Sequence, residues 1–461
     1  MAAPQPYRPD PRILELGEAF YDPVAPADFP QTVPRFFNRR WAERVGLGDL
    51  DEEQRARHLG RFEPLPENLL WPLALRYHGH QFRHYNSELG DGRGFLFAQL
   101  RDDRARLLDL GTKGSGTTPW SRRGDGRLTL KGGVREVLAT EMLEAFGVNT
   151  SKTFALFETG EGLWRGDEPS PTRAAVLTRL SHGHIRIGTF QRLAYSGDTD
   201  NLAFLTRYCL VNLHGEEAGN DPLENASRLF DLVVSATATL AAAYLAAGFV
   251  HGVLNSDNIA ITGESFDYGP WRFTPNWDEA FTAAYFDETG LYAFGRQPDA
   301  IQWNVAQLAG CLALLGQVPG LADSLASWAA RFEAALTSAM LARLGVVARS
   351  EQEDRPLVAA IIKALQLRAV TIDRLFFDWR GGRDPGGATY AADPFRQLAA
   401  ALDERTTARS HSYWSDPEPC SMHIDEVEAI WAAIAERDDW TSFEAKIVAV
   451  RRLGDAIASC A

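Results

Sequence analysis

Asp257 and Asn258 stand side by side at the end of His251-Gly252-Val253-Leu254-Asn255-Ser256-Asp257-Asn258, and Asp267-Tyr268-Gly269 opens nine residues later. Two carboxylates and a carboxamide are hard oxygen donors of the kind that suit Mg²⁺ bridging phosphates. With Asn258 and Asp267 on such a cation, Asp257 is left free to act as a base. Asn and Asp are also common turn formers. The run from an apolar helix into this loop, then a short Ile259-Ala260-Ile261 strand and an Asp-x-Gly turn, makes a purely structural origin a poor account of the pattern.

Protein kinases spread the same chemical roles over a catalytic loop and an Asp-Phe-Gly turn. Here no His-Arg-Asp tripeptide is present and the Asp and Asn are adjacent. Further candidates lie upstream. Only five of the 47 basic residues are lysine, and Lys113 sits in Gly111-Thr112-Lys113-Gly114-Ser115-Gly116. A compact ammonium among glycines suits phosphate oxygens, whereas a solvated loop lysine is the bland alternative. The segment is no Walker A loop, since GxxxxGK[ST] is missing. Gly90-Asp91-Gly92-Arg93-Gly94 precedes a strand, where turn glycines are commonplace, and its place in front of a hairpin leading to a lysine favours a phosphate-covering loop; Asp125-Gly126 is a weaker signal whose bland reading is a tight turn. Glu136 either pairs with Lys113 or simply answers the macrodipole near a helix start. Arg179 and Arg186 either grip phosphate in bidentate fashion or belong to the general arginine surface. His182 and His184 lack a third metal ligand nearby, and His251 reads as a hydrogen-bonded structural histidine.

Several elements must position these groups. Gly94–Leu100 and Ala105–Leu110 read as a hairpin with Lys113 just past its end, Lys131–Phe146 as a helix, and Thr153–Glu158 and Ala174–Leu180 as strands. From about Asn201 the pattern turns helical, with long amphipathic candidates at Pro356–Phe377 and Ile424–Arg437. The expected organisation is an irregular arm over 1–66, a β-rich part over 67–200 and a helical part over 201–461. The chain has 461 residues and a net charge of −14, so broad nucleic-acid binding is not expected, although a local basic pocket for a nucleotide is compatible with it. Leu232–Val250 carries no charge but is rich in Ala, with Ser235, Thr237 and Thr239 interspersed, and reads as a buried helix rather than a membrane span. Scattered Cys209, Cys311, Cys420 and Cys460 and an N-terminus without an apolar leader fit a reducing, cytoplasmic setting, with a disulfide left open.

Taken together, Tyr77-His78-Gly79-His80-Gln81-Phe82, Leu89–Arg93, Gly111–Pro119, Arg179–Gly188, His251–Asn258, Asp267–Pro270 and Tyr292–Pro298 resemble the selenoprotein O family, over about Tyr77 to Leu314. That resemblance implies an α+β, protein-kinase-like, two-lobed fold with a β-rich N-lobe and an α-rich C-lobe. It implies transfer of AMP from ATP, bound in inverted orientation with Mg²⁺ or Mn²⁺, to Ser, Thr or Tyr hydroxyls of proteins. By the same resemblance Gly90, Gly92, Arg93, Asp125 and Gly126 line the nucleotide site, and Lys113 contacts phosphate and pairs with Glu136. Arg179 and Arg186 hold the outer phosphates, Asp257 is the base, and Asn258 and Asp267 hold the metal.

The chain departs from the family at Lys131-Gly132-Gly133-Val134, where relatives usually carry an Arg-Ser-Ser-Ile-like run. Ala283 stands where some bacterial relatives have cysteine, which argues against redox control through that loop. Cys460 lies near the selenocysteine position of some eukaryotic relatives. A γ-phosphate kinase, UMP transfer and a non-catalytic nucleotide-binding scaffold remain the competing readings at the level of sequence.

Overall fold

The computed structural model describes residues 6–166, 168–402 and 405–459. Its strands are β1 (Tyr21–Pro23), β2 (Val33–Phe37), β3 (Leu73–Leu75), β4 (Gly79–Gln81), β5 (His84–Asn86), β6 (Leu96–Arg101), β7 (Leu107–Lys113), β8 (Leu128–Thr129), β9 (Lys152–Leu163), β10 (Thr172–Ser181) and the short antiparallel pair β11 (Phe249–Val250) and β12 (Arg272–Phe273). Eight of them form one antiparallel sheet in the order β1-β3-β6-β7-β10-β9-β2, with β8 alongside β10, while β4 and β5 form a separate hairpin. Helices dominate from Ile187 onward, so the protein is α+β as expected.

Both faces of the sheet are covered. On one face the helix Leu130–Ala145 packs Val134 and Leu138 into a core shared with Leu156 and Leu177. That helix starts where the Thr129 side chain accepts the Gly132 N–H, a cap that stabilises by about 1 kcal/mol. On the other face Trp41, Val45, Leu59 and Phe62 pack on Phe95, Phe97, Leu110 and Val176. Residues 6–66, expected to belong to an irregular arm, pack on the sheet. They cover the sheet and supply β1 and β2, because large apolar side chains are scattered through their Pro-rich, charged sequence.

Strand β7 is buried along its whole length, and Lys113 is its last residue rather than lying beyond it. Register places Gly111 opposite Arg179 and Lys113 opposite Leu177. With a side-chain period of two, Lys113 and Arg179 thus project from the same face, the one carrying the Leu130–Ala145 helix.

The helix Pro222–Ala247 starts with Asp221 capping the Leu223 N–H and Pro at the first turn, and ends at left-handed Gly248. It is long and apolar enough to cross a membrane by composition, but 67% of its most apolar window is buried within the protein, and it is a core helix here. Two expectations change. Ile259–Ile261 is an isolated bridge, Ala260 to Arg186, rather than a strand. Pro356–Phe377 is two helices, Glu351–Gln366 and Ile372–Asp378, separated where Arg368 takes φ 54° and the Thr371 side chain caps Arg374 N–H. The helix Ile424–Arg437 has the bounds its periodicity predicts.

Candidate active site

A cleft of about 750 Å³ opens between the sheet and the loops that follow Pro222–Ala247. Its walls carry Gly90, Gly92, Arg93, Lys113, Asp125, Gly126, Arg179, Arg186, Asp257, Asn258 and Asp267, so almost every residue singled out from the sequence converges there. Glu136 stands just behind the wall. Its Oε2 lies 2.5 Å from Lys113 Nζ, and both groups are buried, at 1% and 4% exposure. The pairing, rather than the macrodipole, accounts for a carboxylate at this position.

Lys113 also reaches Asp267 Oδ1 at 2.9 Å, and Arg179 Nη1 approaches the same oxygen at 3.4 Å. Burial pushes the Asp267 carboxyl up, but Lys113, Arg179 and Arg93 outweigh it and hold the group well below its usual range. Asp267 adopts φ 64°, the left-handed region that Asp tolerates better than most side chains.

Asp257 lies in a single 3₁₀ turn, Ser256–Asn258. Its backbone carbonyl accepts Arg186 Nη1 at 3.0 Å, while its buried Oδ1 has no hydrogen-bond partner within the protein. Burial raises the Asp257 carboxyl to about 6, against the opposing pull of the Arg186 guanidinium. Asn258 donates Nδ2 to Val253 O at 3.0 Å, which fixes the amide and leaves its oxygen as an acceptor. The Arg186 guanidinium is 4.1 Å from the Tyr77 ring centre and 5.0 Å from that of Phe266.

The glycines have packing reasons of their own. A Cβ at Gly90 would stand 2.4 Å from the Trp120 ring, and one at left-handed Gly126 would stand 2.2 Å from the Gly116 carbonyl carbon. Asp125 sits at the rim, bridged to Arg165 at 2.7 Å. His184 bonds Asp109 at 3.0 Å and His251 bonds Phe266 O at 2.9 Å, so both are structural. Among the described residues Cys209, Cys311 and Cys420 are free thiols; Cys460 lies outside the described residues.

Two features escaped the sequence reading. The first is charge. Eight Arg and Lys side chains line the cleft against four Asp, in a chain whose net charge is −14. Arg122, Arg123, Arg127 and Arg165 belong to this set, and the arginine density around Gly124 was the available signal. The second is the β4–β5 hairpin. His80 N–H donates to Ser256 Oγ at 2.7 Å and Phe82 N–H to Asn255 Oδ1 at 3.0 Å. Ser256 Oγ in turn donates to Gln191 Oε1 at 2.5 Å. The His-Gly-His-Gln-Phe motif thus clamps the loop that carries Asp257, with Gln81 at the cleft wall.

A cation-rich cleft with an ionised aspartate, and a second aspartate that keeps one carboxylate oxygen without a protein partner, is fitted to a phosphate-bearing substrate, and comparison with known proteins defines the class as nucleotidyltransferase. The chain is 39% identical to the protein nucleotidyltransferase YdiU of Synechocystis sp. over 460 residues, covering 94% of this chain and 96% of that protein. It is 41% identical to the protein of the same name from Gloeobacter violaceus, covering 94% and 93%, and 35% identical to that of Vibrio cholerae, covering 74% and 68%. The family described as protein adenylyltransferase SelO matches residues 6–383, and the chain belongs to that family.

Proposed function

We propose that the protein transfers AMP from ATP to Ser, Thr or Tyr hydroxyls of acceptor proteins, in a kinase-like fold whose sheet and helical parts act as two lobes around the cleft. The observation that carries the reading is the pairing of an unpartnered, buried Asp257 Oδ1 with a wall of cations in an acidic protein. Arg179, Arg186 and Lys113 grip the β- and γ-phosphates. The acceptor oxygen attacks the α-phosphorus, Asp257 takes the hydroxyl proton, and the bond from the α-phosphorus to the bridging oxygen breaks to release pyrophosphate. Charge-assisted hydrogen bonds to the departing group stabilise the developing charge.

The donor set fits a hard divalent cation. Asp267 is held ionised, and the Asn258 amide is oriented by Val253 O. Asn258 and Asp267 would hold Mg²⁺ or Mn²⁺, which when bound neutralises phosphate charge. Among the described residues no group of three or more His, Cys, Asp or Glu forms a self-contained metal site.

The test is the mass of the adduct on an acceptor protein after incubation with ATP or UTP and either metal. An adenylyl adduct from ATP is expected. A phosphoryl adduct would overturn the reading in favour of γ-transfer, and a uridylyl adduct formed in preference would reassign the donor.

A further inference from the structure

A second trough, about 460 Å³, runs between the Leu130–Ala145 helix, the segment after Asp267 and the helix Ile424–Arg437. It joins the nucleotide cleft, because Arg93, Lys113, Arg127 and Arg165 line both. Its own cations are Lys131, Arg135 and Arg272, and its carboxylates are Glu168 and Glu428. Glu428 is shared, lying 2.7 Å from Lys131 and 3.6 Å from Arg135. Arg272 donates only to the carbonyls of Pro270 and Trp271, at 3.1 and 2.9 Å, and has no carboxylate ion pair among the described residues. Burial, and then the neighbouring Arg272, lower the Arg135 guanidinium to about 10. Cations crowded in this way with too few carboxylates favour the arrival of an anion.

The trough ends at two exposed rings, Tyr285 at 85% and Phe286 at 46% exposure, whose centres are 5.2 Å apart. Phe286 meets Phe82 at 6.0 Å, and the Phe82 N–H is held by Asn255, two residues before Asp257. Chain laid across these rings therefore leads to the catalytic loop. Exposed aromatics beside a polar rim mark polypeptide contacts. The nucleotide's phosphates already have the larger cleft, and the acidic surface as a whole opposes a nucleic-acid backbone.

We propose that this trough binds the acceptor polypeptide and selects segments carrying Asp or Glu near the modified hydroxyl. The role of acceptor rests on the AMP-transfer reading above; the preference for an acidic peptide does not.

The test uses the full chain and fluorescein-labelled Ser peptides flanked by Glu, Gln or Lys, read by anisotropy with and without saturating ATP. The Glu peptide is expected to bind about tenfold tighter than the Gln peptide, to persist with ATP, and to weaken about tenfold in Arg272→Gln and in Tyr285→Ala. Tyr285 is exposed enough for its variant to fold even if the Arg272 variant does not. Equal binding of the three peptides, displacement by ATP, or unaltered affinity in Tyr285→Ala would overturn the proposal. AMP transfer to all three peptides alike would sink the trough and spare the reaction. Acidic-peptide binding without AMP transfer would spare the trough and sink the reaction.

Discussion

Lys113 and Glu136 meet at 2.5 Å behind the cleft, one at the end of a sheet strand and the other on the helix packed over that sheet. The contact is dry on both sides, and Asp267 approaches the same ammonium from the loop side at 2.9 Å. One lysine thus ties strand, helix and loop together, and its direction into the cleft depends on both carboxylates.

Replacing Glu136 by Gln keeps the shape and removes the charge. Transfer is expected to fall by about tenfold or more, because Lys113 is then drawn onto Asp267 and away from phosphate. A Glu136→Ala variant leaves a buried cation short of a partner and is expected to lose about 3–5 kcal/mol of stability. Turnover and thermal unfolding of the two variants check this. Wild-type turnover in Glu136→Gln would remove the pair from function.

Asp257→Asn is expected to lower transfer by about 10²–10⁴-fold, the range for a lost general base, with ATP affinity nearly unchanged. Calorimetric ATP binding beside turnover separates the two effects. A parallel loss of affinity would make Asp257 a binding group instead.

Ser256→Ala removes the acceptor for His80 N–H and the donor to Gln191. The loop carrying Asp257 loosens while the phosphate-binding cations stay in place. The expected result is a lower kcat with KM for ATP little altered; a selective rise in KM would contradict the positioning role.

Glu264 sets a pH dependence of stability. Burial raises its carboxyl from an ordinary 4.5 to about 7, while the His182 N–H donates to it at 2.8 Å. The unfolded chain releases this proton near 4.5 and the folded chain near 7, so the folded state binds more protons between these values. Stability from this group therefore falls as pH rises through that window, by up to about 3 kcal/mol. Glu264→Gln keeps an acceptor for His182 and is expected to gain on the wild type between pH 5 and 8 in denaturant midpoint. An unchanged difference across that range would refute the assignment.

The local elements were readable where apolar periodicity runs over several turns, as in Leu130–Ala145 and Ile424–Arg437. The clustering of Asp257, Asn258 and Asp267 was readable from spacing within one stretch. Long-range pairings were not. The Lys113–Glu136 pair was one of two readings of the residues and was implied by the family resemblance, but choosing between them needed strand register and helix packing. The charge balance around Glu428 depends on a helix nearly 300 residues downstream of Lys131. The β1 and β2 strands were hidden because they are short, lie at sheet edges and contain proline, which a central strand would exclude.

The central claim is which phosphorus is attacked. Parallel incubations with α-labelled and γ-labelled ATP, Mg²⁺ or Mn²⁺ and an acceptor protein test it most directly. Label on the acceptor from the α-phosphate alone, with pyrophosphate released, is the predicted result. Label from the γ-phosphate would contradict the account and leave Arg179 and Arg186 without their role on the leaving group.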